Sequence, residues 1–248
     1  MLDNKVAIVT GAASLRGIGW ATADAFARAG ARVAILDLSE DEASVAAACL
    51  GEGHRGYSCD VRDKAACQAA VARIIADFGG LHVLVNNAGV SQPKGLLAIE
   101  EVDYDQVLDV SLRGSFNMSQ VTVAHMRRNG GGAIICVGSV SGERGGGVMG
   151  GPHYAAAKGA VHSLAKALAR EFAVDGIRVN AVAPGLIETD LIANRLTPER
   201  RAAVIEATPM GRVGRPDEVA NTCLFLASDL ARYVTGATIG VNGGLHIH

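Results

Sequence analysis

Short, continuous apolar runs rich in β-branched residues recur along the chain and are separated by longer stretches with helical spacing. Runs that are apolar at every position, rather than at alternate ones, are typical of strands buried on both faces of a parallel sheet. The runs lie at 5–10, 32–37, 56–59, 81–85, 133–137, 177–183 and 237–241. Their alternation with helices predicts an α/β fold: one doubly wound domain over 1–248, with a seven-stranded parallel sheet and helices on both faces.

The stretches between the strands predict helices at about 20–29, 40–50, 64–78, 102–110, 111–129, 154–168 and 217–228. The pair at 102–129 is loosely broken at Arg113-Gly114. The glycine-rich stretch 143–153 predicts a mobile loop, and the stretch 186–215 carries proline breakers and no strand pattern. Such an excursion is typical of a segment that covers an active site, so we predict a lid at about 186–212.

The first strand ends in a turn that contains Gly11, Gly17 and Gly19, and a helix and a second strand follow. Glycines let a backbone approach a pyrophosphate closely, and the N-terminus of the following helix favours negative charge. Asp37 ends the second strand, where a carboxylate can accept hydrogen bonds from a ribose diol. These features together predict a Rossmann-type domain that binds a dinucleotide.

Composition argues against several other classes of protein. The 248 residues are 49% hydrophobic with a formal net charge of −2, and Lys and Arg form no cluster of the kind that binds nucleic acid or a membrane surface. No apolar run approaches the length of a membrane span. The five cysteines are scattered, which predicts reduced thiols in a cytoplasmic protein. His246 and His248 are too few to predict a metal site.

Tyr154 and Lys158 are four residues apart in a helical pattern, so their side chains lie on one face, one turn apart. A cation close to a phenol favours the phenolate and lowers the phenol pKa from its ordinary value of about 10. An acid or base works best when its pKa is near the working pH. The pair alone also occurs on solvated helices, but beside a dinucleotide-binding pattern it predicts a proton-transfer device.

Eight short motifs occur in order along the chain, most of them at strand ends. They are Thr10-Gly11 with Gly17-Ile18-Gly19, Asp60-Val61, Asn86-Asn87-Ala88-Gly89, Gly138-Ser139, Tyr154-x-x-x-Lys158, Pro184-Gly185 with Thr189, Gly214-Arg215-Pro216-Asp217-Glu218-Val219-Ala220, and Thr235-Gly236 with Val241-Asn242-Gly243-Gly244. In this combination the chain resembles the short-chain dehydrogenases/reductases over nearly its whole length.

The resemblance implies a role for each matching residue. Tyr154 is expected to be the general acid/base, Lys158 the cation that lowers its pKa and holds the nicotinamide ribose, and Ser139 the hydrogen-bond partner of the substrate oxygen. The expected catalytic residues are Ser139, Tyr154, Lys158 and Ser111, and the expected substrate contacts are Ser139, Ser141 and Tyr154. The expected cofactor-binding residues are Gly11, Ser14, Arg16, Gly17, Ile18, Gly19, Asp37, Leu38, Asp60, Val61, Asn87, Ala88, Gly89, Val110, Tyr154, Lys158, Pro184, Gly185, Ile187 and Thr189.

The chain departs from the family pattern at three places. The glycine turn carries two extra residues, assigned to Leu15-Arg16. Ser111 stands where the family has an asparagine, and because serine is shorter and has no amide, we expect a proton relay with an extra water or a weaker one. Ser141 has the family's usual spacing from Tyr154, whereas Ser139 lies directly at the strand end. Strand-end geometry is rigid, so we favour Ser139 as the catalytic serine and keep Ser141 as its rival.

The choice of cofactor depends on two residues of opposite charge. A carboxylate at Asp37 binds a ribose diol and repels a 2′-phosphate. Arg16 argues for NADP, since in NADP-dependent relatives an arginine at this place often meets the 2′-phosphate. The residues after Asp37 are acidic rather than basic, so NAD is predicted and NADP is the less favoured cofactor.

We therefore expect an NAD(H)-dependent oxidoreductase that interconverts a secondary alcohol and a ketone. The alternative within this class is an NADPH-dependent 3-oxoacyl-thioester reductase, and the alternative from another class is a non-catalytic NAD-binding sensor. The lid is rich in apolar residues, which predicts a partly apolar small-molecule substrate, while Glu143, Arg144 and Arg195 leave room for a charged group on it. A homotetramer is implied by the resemblance alone.

Overall fold

The computed structural model describes residues 1–193 and 196–247. Arg195 and His248, both considered above, lie outside the described residues. Within that range, no helix combines the length and the apolar character needed to cross a membrane.

The described strands form one sheet in the order β3-β2-β1-β4-β5-β6-β7, and every pairing is parallel. The strands are β1 (Val6–Thr10), β2 (Arg32–Asp37), β3 (Arg55–Ser58), β4 (Val83–Asn86), β5 (Gly132–Val137), β6 (Ile177–Pro184) and β7 (Thr238–Val241). The strand order reverses at β1, which lies between β2 and β4. Ligand crevices in open sheets lie at such a switch point, outside the carboxyl ends of the strands.

Helices cover both faces of this sheet, so the predicted doubly wound α/β fold is confirmed. The described helices are α1 (Ile18–Arg28), α2 (Glu40–Ala48), α3 (Lys64–Phe78), α4 (Glu101–Leu108), α5 (Gly114–Arg128), α6 (Val140–Arg144), α7 (Pro152–Phe172), α8 (Asp190–Ala193), α9 (Pro198–Ala207) and α10 (Pro216–Ala227).

Side chains alternate between two buried cores along each strand. On β1, Ile8 belongs to the core that α3, α5 and α7 cover, and Val9 belongs to the core that α1, α2 and α10 cover. Both side chains are fully buried. Because each face of the sheet is covered, successive strand positions must be apolar, and this is the origin of the continuous apolar runs in the sequence.

The glycine-rich stretch 143–153 is more regular than predicted. Helix α6 reaches into its start and α7 takes up its end, and Gly147 and Gly150 form an antiparallel bridge between them. The prediction of a loop throughout was wrong because each helix has a start signal. The Ser139 hydroxyl accepts a hydrogen bond from the Ser141 N–H at the N-terminus of α6, and Pro152 is the first residue of α7.

Two other segments also differ from expectation. The predicted lid contains α8 and α9 rather than irregular chain, since Thr197 caps α9 and Pro198 begins it. The helix pair at 102–129 is interrupted by the π-helical segment Asp109–Arg113, so the predicted break at Arg113-Gly114 is the end of a wider turn. Such π-helical turns occur often at functional sites, and this one contains Ser111.

Candidate active site

A cavity of about 1020 Å³ opens at the carboxyl ends of the strands, and most of the predicted site residues line it. Those residues are Gly11, Ser14, Gly17, Ile18, Gly19, Asp37, Leu38, Asp60, Val61, Asn87, Ala88, Gly89, Val110, Ser139, Ser141, Tyr154, Lys158, Pro184, Gly185, Ile187 and Thr189. Arg16 and Ser111 are the predicted residues that do not line it. The fold therefore brings residues from distant segments of the chain onto one contiguous surface.

In the glycine turn after β1, neither Gly11 nor Gly19 has room for a side chain. A Cβ at Gly11, whose φ is +62°, would lie 2.8 Å from the Ala88 Cα, and a Cβ at Gly19 would lie 2.5 Å from the Asn87 amide nitrogen. The Asn87 amide in turn donates to the carbonyls of Thr10 and Gly11 at 2.9 and 2.8 Å. Bare backbone and the N-terminus of α1 thus face the cavity, an arrangement that suits a phosphate group.

The Asp37 carboxylate is held by the backbone on two sides. Its Oδ2 accepts a hydrogen bond from the Ala13 N–H, and its Oδ1 accepts one from the Leu38 N–H, both at 2.9 Å. The end of β2 is thereby tied to the glycine turn, and the carboxylate is held at the cavity wall with lone pairs left for hydroxyl donors.

Arg16 turns toward the lid. Its Nε lies 3.1 Å from the Asp190 Oδ1, and the Ser14 hydroxyl donates to the Asp190 Oδ2 at 3.1 Å. Asp190 begins α8, so its carboxylate joins the glycine turn to the predicted lid across the mouth of the cavity. A pair as exposed as this contributes little to the stability of the fold. The pair instead orients the Arg16 guanidinium, which contacts the Asp190 carboxylate.

Ser139 and Tyr154 meet where β5 ends and α7 begins. The Ser139 side chain interacts with the Tyr154 phenol and thereby opposes the effect of burial, which raises the Tyr154 pKa. Ser139 also accepts from the Ser141 N–H at 3.1 Å, and both serines line the cavity. Of the two rivals, Ser139 is the one whose side chain affects the pKa of the phenol.

Lys158 lies one turn along α7 and is almost fully buried. Its Nζ donates to the Val137 carbonyl at 2.7 Å and lies 5.9 Å from the centre of the Tyr154 ring. Burial lowers the pKa of Lys158 to about 8, because desolvation disfavours the ammonium form. Cys136 acts weakly in the opposite direction. The amine therefore titrates close to neutral pH.

Ser111 lies behind the cavity wall rather than in it. Its hydroxyl is buried and has no hydrogen-bond partner among the described residues. A Cβ built on Gly89 would lie 3.5 Å from the Ser111 Oγ and 3.2 Å from the Lys158 Nζ, so the two groups flank the same glycine. A buried hydroxyl without a protein partner, next to a buried amine, suits a water-mediated contact between them.

Comparison with known proteins agrees with this geometry. A family model described as Enoyl-(Acyl carrier protein) reductase matches residues 11–246. An uncharacterized short-chain type dehydrogenase/reductase, y4mP of Sinorhizobium fredii (strain NBRC 101917 / NGR234), is 52% identical over the full length of both chains. The 3-oxoacyl-(acyl-carrier-protein) reductase FabG of Escherichia coli (strain K12) is 40% identical over 99% of this chain and 98% of its own. Nodulation protein G of Azospirillum brasilense is 40% identical over 99% of each chain.

The chain belongs to the short-chain dehydrogenase/reductase family. It is an oxidoreductase of a family that uses a nicotinamide cofactor. The relatives bear different names, so membership alone leaves the substrate and the choice between NAD and NADP open.

Sequence reasoning missed some residues that the fold brings to the site of this dehydrogenase/reductase. Asp190 and Leu245 line the cavity although they lie in the lid and near the chain end, and Gln106 reaches it from α4. His162 contacts the Ser139 backbone from α7. A position four residues after Lys158 was a usable signal for His162, since it lies on the same helix face. No motif or spacing in the sequence near Asp190, Leu245 or Gln106 indicated that they would reach the cavity.

Lys158 gives a test of the buried amine. With a folded-state pKa of about 8 and an ordinary value of 10.5, the unfolded chain binds more protons than the folded one between those values. The contribution of Lys158 to the free energy of unfolding should therefore rise with pH through this window, by about 3 kcal/mol. Urea unfolding measured across the window should show this rise as a growing difference between the wild type and Lys158→Met, because the buried Cys136 and Cys223 thiols, whose pKa values burial raises, act in the opposite direction in both proteins.

The matched control is Lys166→Met, which removes an exposed amine from the same helix and should give a curve parallel to that of the wild type. Parallel curves for the wild type and Lys158→Met would contradict a lowered Lys158 pKa.

Ser111 gives a second test. Ser111→Ala removes a hydroxyl without a described protein partner, so it should cost little stability yet lower kcat about tenfold if one hydrogen bond in the relay is lost. Ser115→Ala is the control, since the Ser115 hydroxyl donates to the Ser111 carbonyl at 2.6 Å and its loss should reduce stability instead. An unchanged kcat in Ser111→Ala would remove Ser111 from the catalytic set.

Proposed function

We propose that this chain is an NAD(H)-dependent oxidoreductase that interconverts a secondary alcohol and a ketone, with Tyr154 as the general acid/base. The observation that carries the proposal is the convergence of Ser139, Tyr154 and Lys158 on one cavity whose walls also include the glycine turn and Asp37. A phenol, a hydroxyl and a buried amine around one position suit the transfer of a proton to or from a substrate oxygen.

The residues present fit a nicotinamide dinucleotide. The glycine turn faces the cavity with backbone alone, and the N-terminus of α1 points toward it. Asp37 would hold the adenosine ribose through its diol, Asp60 and Val61 would hold the adenine, and Pro184 to Thr189 would hold the nicotinamide amide. When bound, the nicotinamide accepts or supplies the hydride.

The protein's own groups handle the proton. In the direction of oxidation, the Tyr154 phenolate removes the proton from the substrate hydroxyl, and in reduction the phenol returns it. Ser139 hydrogen-bonds the same oxygen and holds it beside the phenol. Lys158, as ammonium, would favour the phenolate, since a positive charge nearby stabilises the charged form of a phenol.

We assign NAD rather than NADP because of how the two selecting residues are held. The Asp37 carboxylate lines the cavity, where it would bind a ribose diol, and its negative charge would repel the extra phosphate of NADP. Arg16, the residue that argues for NADP, is engaged by Asp190. A 2′-phosphate would have to compete with that carboxylate for the guanidinium.

Several apolar residues from the lid and from near the chain end line the cavity. They are Ile192, Val204, Ala207 and Leu245, and Arg144 also lines it. We infer a substrate with an apolar portion. The similarity to FabG of Escherichia coli favours a second candidate, an NADPH-dependent 3-oxoacyl-thioester reductase, which Asp37 disfavours on the cofactor side.

We also propose a cytoplasmic homotetramer. The described cysteines are free thiols, as expected in a reducing compartment. Tyr104 and Phe116 expose 47% of their surface beside one another on α4 and α5, an apolar surface of the kind that subunits bury.

Replacement of Tyr154 tests the catalytic proposal against a non-catalytic NAD-binding sensor. Tyr154→Phe should lower kcat by at least about 10²-fold because the proton donor is lost, while NADH binding persists. Steady-state kinetics and calorimetric titration measure the two effects. Tyr233→Phe, at a fully exposed tyrosine, is the control that should change neither. Equal activity of the wild type and Tyr154→Phe on every alcohol and ketone tried would favour the sensor.

Titration of the wild type with NADH and NADPH tests the cofactor. NADH should bind more tightly, and Asp37→Asn should reduce this preference about tenfold or more, because the amide keeps an acceptor for the Ala13 N–H but loses the charge. Asp41→Asn, which removes a charge at an exposed position of α2, is the control. Tighter binding of NADPH by the wild type would contradict the assignment and favour 3-oxoacyl thioesters as substrates.

A further inference from the structure

Three residues on successive turns of α7 contact the end of β5. The Tyr154 phenol interacts with the Ser139 side chain, and the Lys158 Nζ donates to the Val137 carbonyl at 2.7 Å. One turn further, the His162 Nε2 accepts a hydrogen bond from the Ser139 backbone N–H at 3.3 Å. Their spacing of four residues places all three side chains on one helix face. The first two belong to the proposed chemistry, and His162 is the third contact of the same kind.

The His162 imidazole fills the space beside Gly138. A Cβ at Gly138 would lie 1.9 Å from the His162 Nε2, 2.3 Å from its Cδ2 and 3.1 Å from the Val182 carbonyl oxygen. A side chain at position 138 and this imidazole therefore exclude each other, since a packed interior offers no spare volume. His162 is 6% exposed. The ring takes the place that a side chain at position 138 would occupy.

The hydrogen bond specifies the state of the ring. A ring nitrogen accepts only when it carries no proton, so this imidazole is neutral with its proton on Nδ1. The bond anchors the amide of Ser139, where the extended strand end turns into α6. An unpaired buried N–H group is unfavourable. Without the His162 acceptor, the backbone at Ser139 would therefore tend to reorient so that its N–H found another partner, and the Ser139 hydroxyl would move with it.

We propose that His162 is a positioning residue, which holds the Ser139 backbone and thereby sets the Ser139 hydroxyl against the Tyr154 phenol. The imidazole does this in two ways, by accepting the Ser139 N–H and by packing against Gly138. The inference rests on the proposed oxidoreductase chemistry, in which Ser139 and Tyr154 act on the same substrate oxygen.

A pair of substitutions separates the acceptor from the bulk of the ring. His162→Leu keeps an apolar side chain but loses the acceptor, and it should lower kcat about 10- to 100-fold, since small displacements of catalytic groups have effects of this size. KM and the affinity for NADH should stay close to those of the wild type, because the cofactor walls are untouched. His162→Gln places an amide oxygen where it can accept the Ser139 N–H and should recover most of kcat.

Val161→Ala is the matched control, because it truncates the neighbouring buried side chain of α7 in the core that α3 and α5 share. It should lower thermal stability and leave kcat unchanged. Three results would overturn the proposal: wild-type kcat in His162→Leu, equal losses of kcat in His162→Leu and Val161→Ala, or a His162→Gln variant as slow as His162→Leu.

A double substitution tests the fit between the ring and Gly138. Gly138→Ala alone should lower both thermal stability and kcat, because the new methyl group collides with the imidazole. Adding His162→Ala should restore stability without restoring kcat, since the space is regained but the acceptor is lost. A Gly138→Ala variant as stable and active as the wild type would show that the ring does not pack there.

NMR of the imidazole separates a failure of this proposal from a failure of the proposed function. In the wild type without substrate, ¹⁵N shifts should report a His162 ring protonated on Nδ1, and the Ser139 amide resonance should move in His162→Leu. This result stands even if no alcohol or ketone is turned over. A His162 ring protonated on Nε2 would overturn the proposal whatever the enzyme's activity.

Discussion

The contact between the ends of β1 and β4 is the constraint on which the rest of the site depends. The Thr10 hydroxyl donates to the Val85 carbonyl at 3.3 Å and accepts from the N–H groups of Asn87 and Ala88 at 3.0 Å, while the Asn87 amide returns two hydrogen bonds to the first turn. These bonds hold the glycine turn against the end of β4 closely enough that Gly11 has no room for a side chain. The strand order reverses at this junction, so the crevice that opens beside it is bounded by rigid strand ends on both sides.

Helix α7 also lines this cavity and carries the groups that we propose to exchange a proton with the substrate. Its residues Tyr154, Lys158 and His162 contact the end of β5 over two turns. The Lys158 amine is buried against a backbone carbonyl, and burial lowers its pKa to about 8. Burial moves the pKa of the phenol upward and that of the amine downward, so the two pKa values, which are similar in free side chains, move apart. Ion pairs such as Arg16 with Asp190 lie instead at the rim, where solvent screens them.

Elements with complete local signals were predictable to the residue. β2 and α3 have the predicted bounds, and α3 shows why: the Asp63 carboxylate accepts from the first free N–H groups, and Gly79, with a φ of +79°, ends the helix. Elements whose signals conflict were not. Glycine-rich and proline-rich sequence hid α6, α8 and α9, because those short helices lack the long apolar stripe that marks a helix in a sequence.

The sequence by itself determined the alternation of buried strands and helices, the glycine turn, the acid at the end of β2 and the Tyr154–Lys158 pair. Each of these depends on a spacing within a few residues, which the periodicity of a helix or strand converts directly into position. Only the tertiary structure shows that the Ser139 side chain interacts with the phenol, that Arg16 meets Asp190, and that His162 accepts the Ser139 N–H. These contacts join segments that approach one another only after the sheet has formed and α7 has packed against it. Their geometry follows from packing and burial, which no local pattern of residues records.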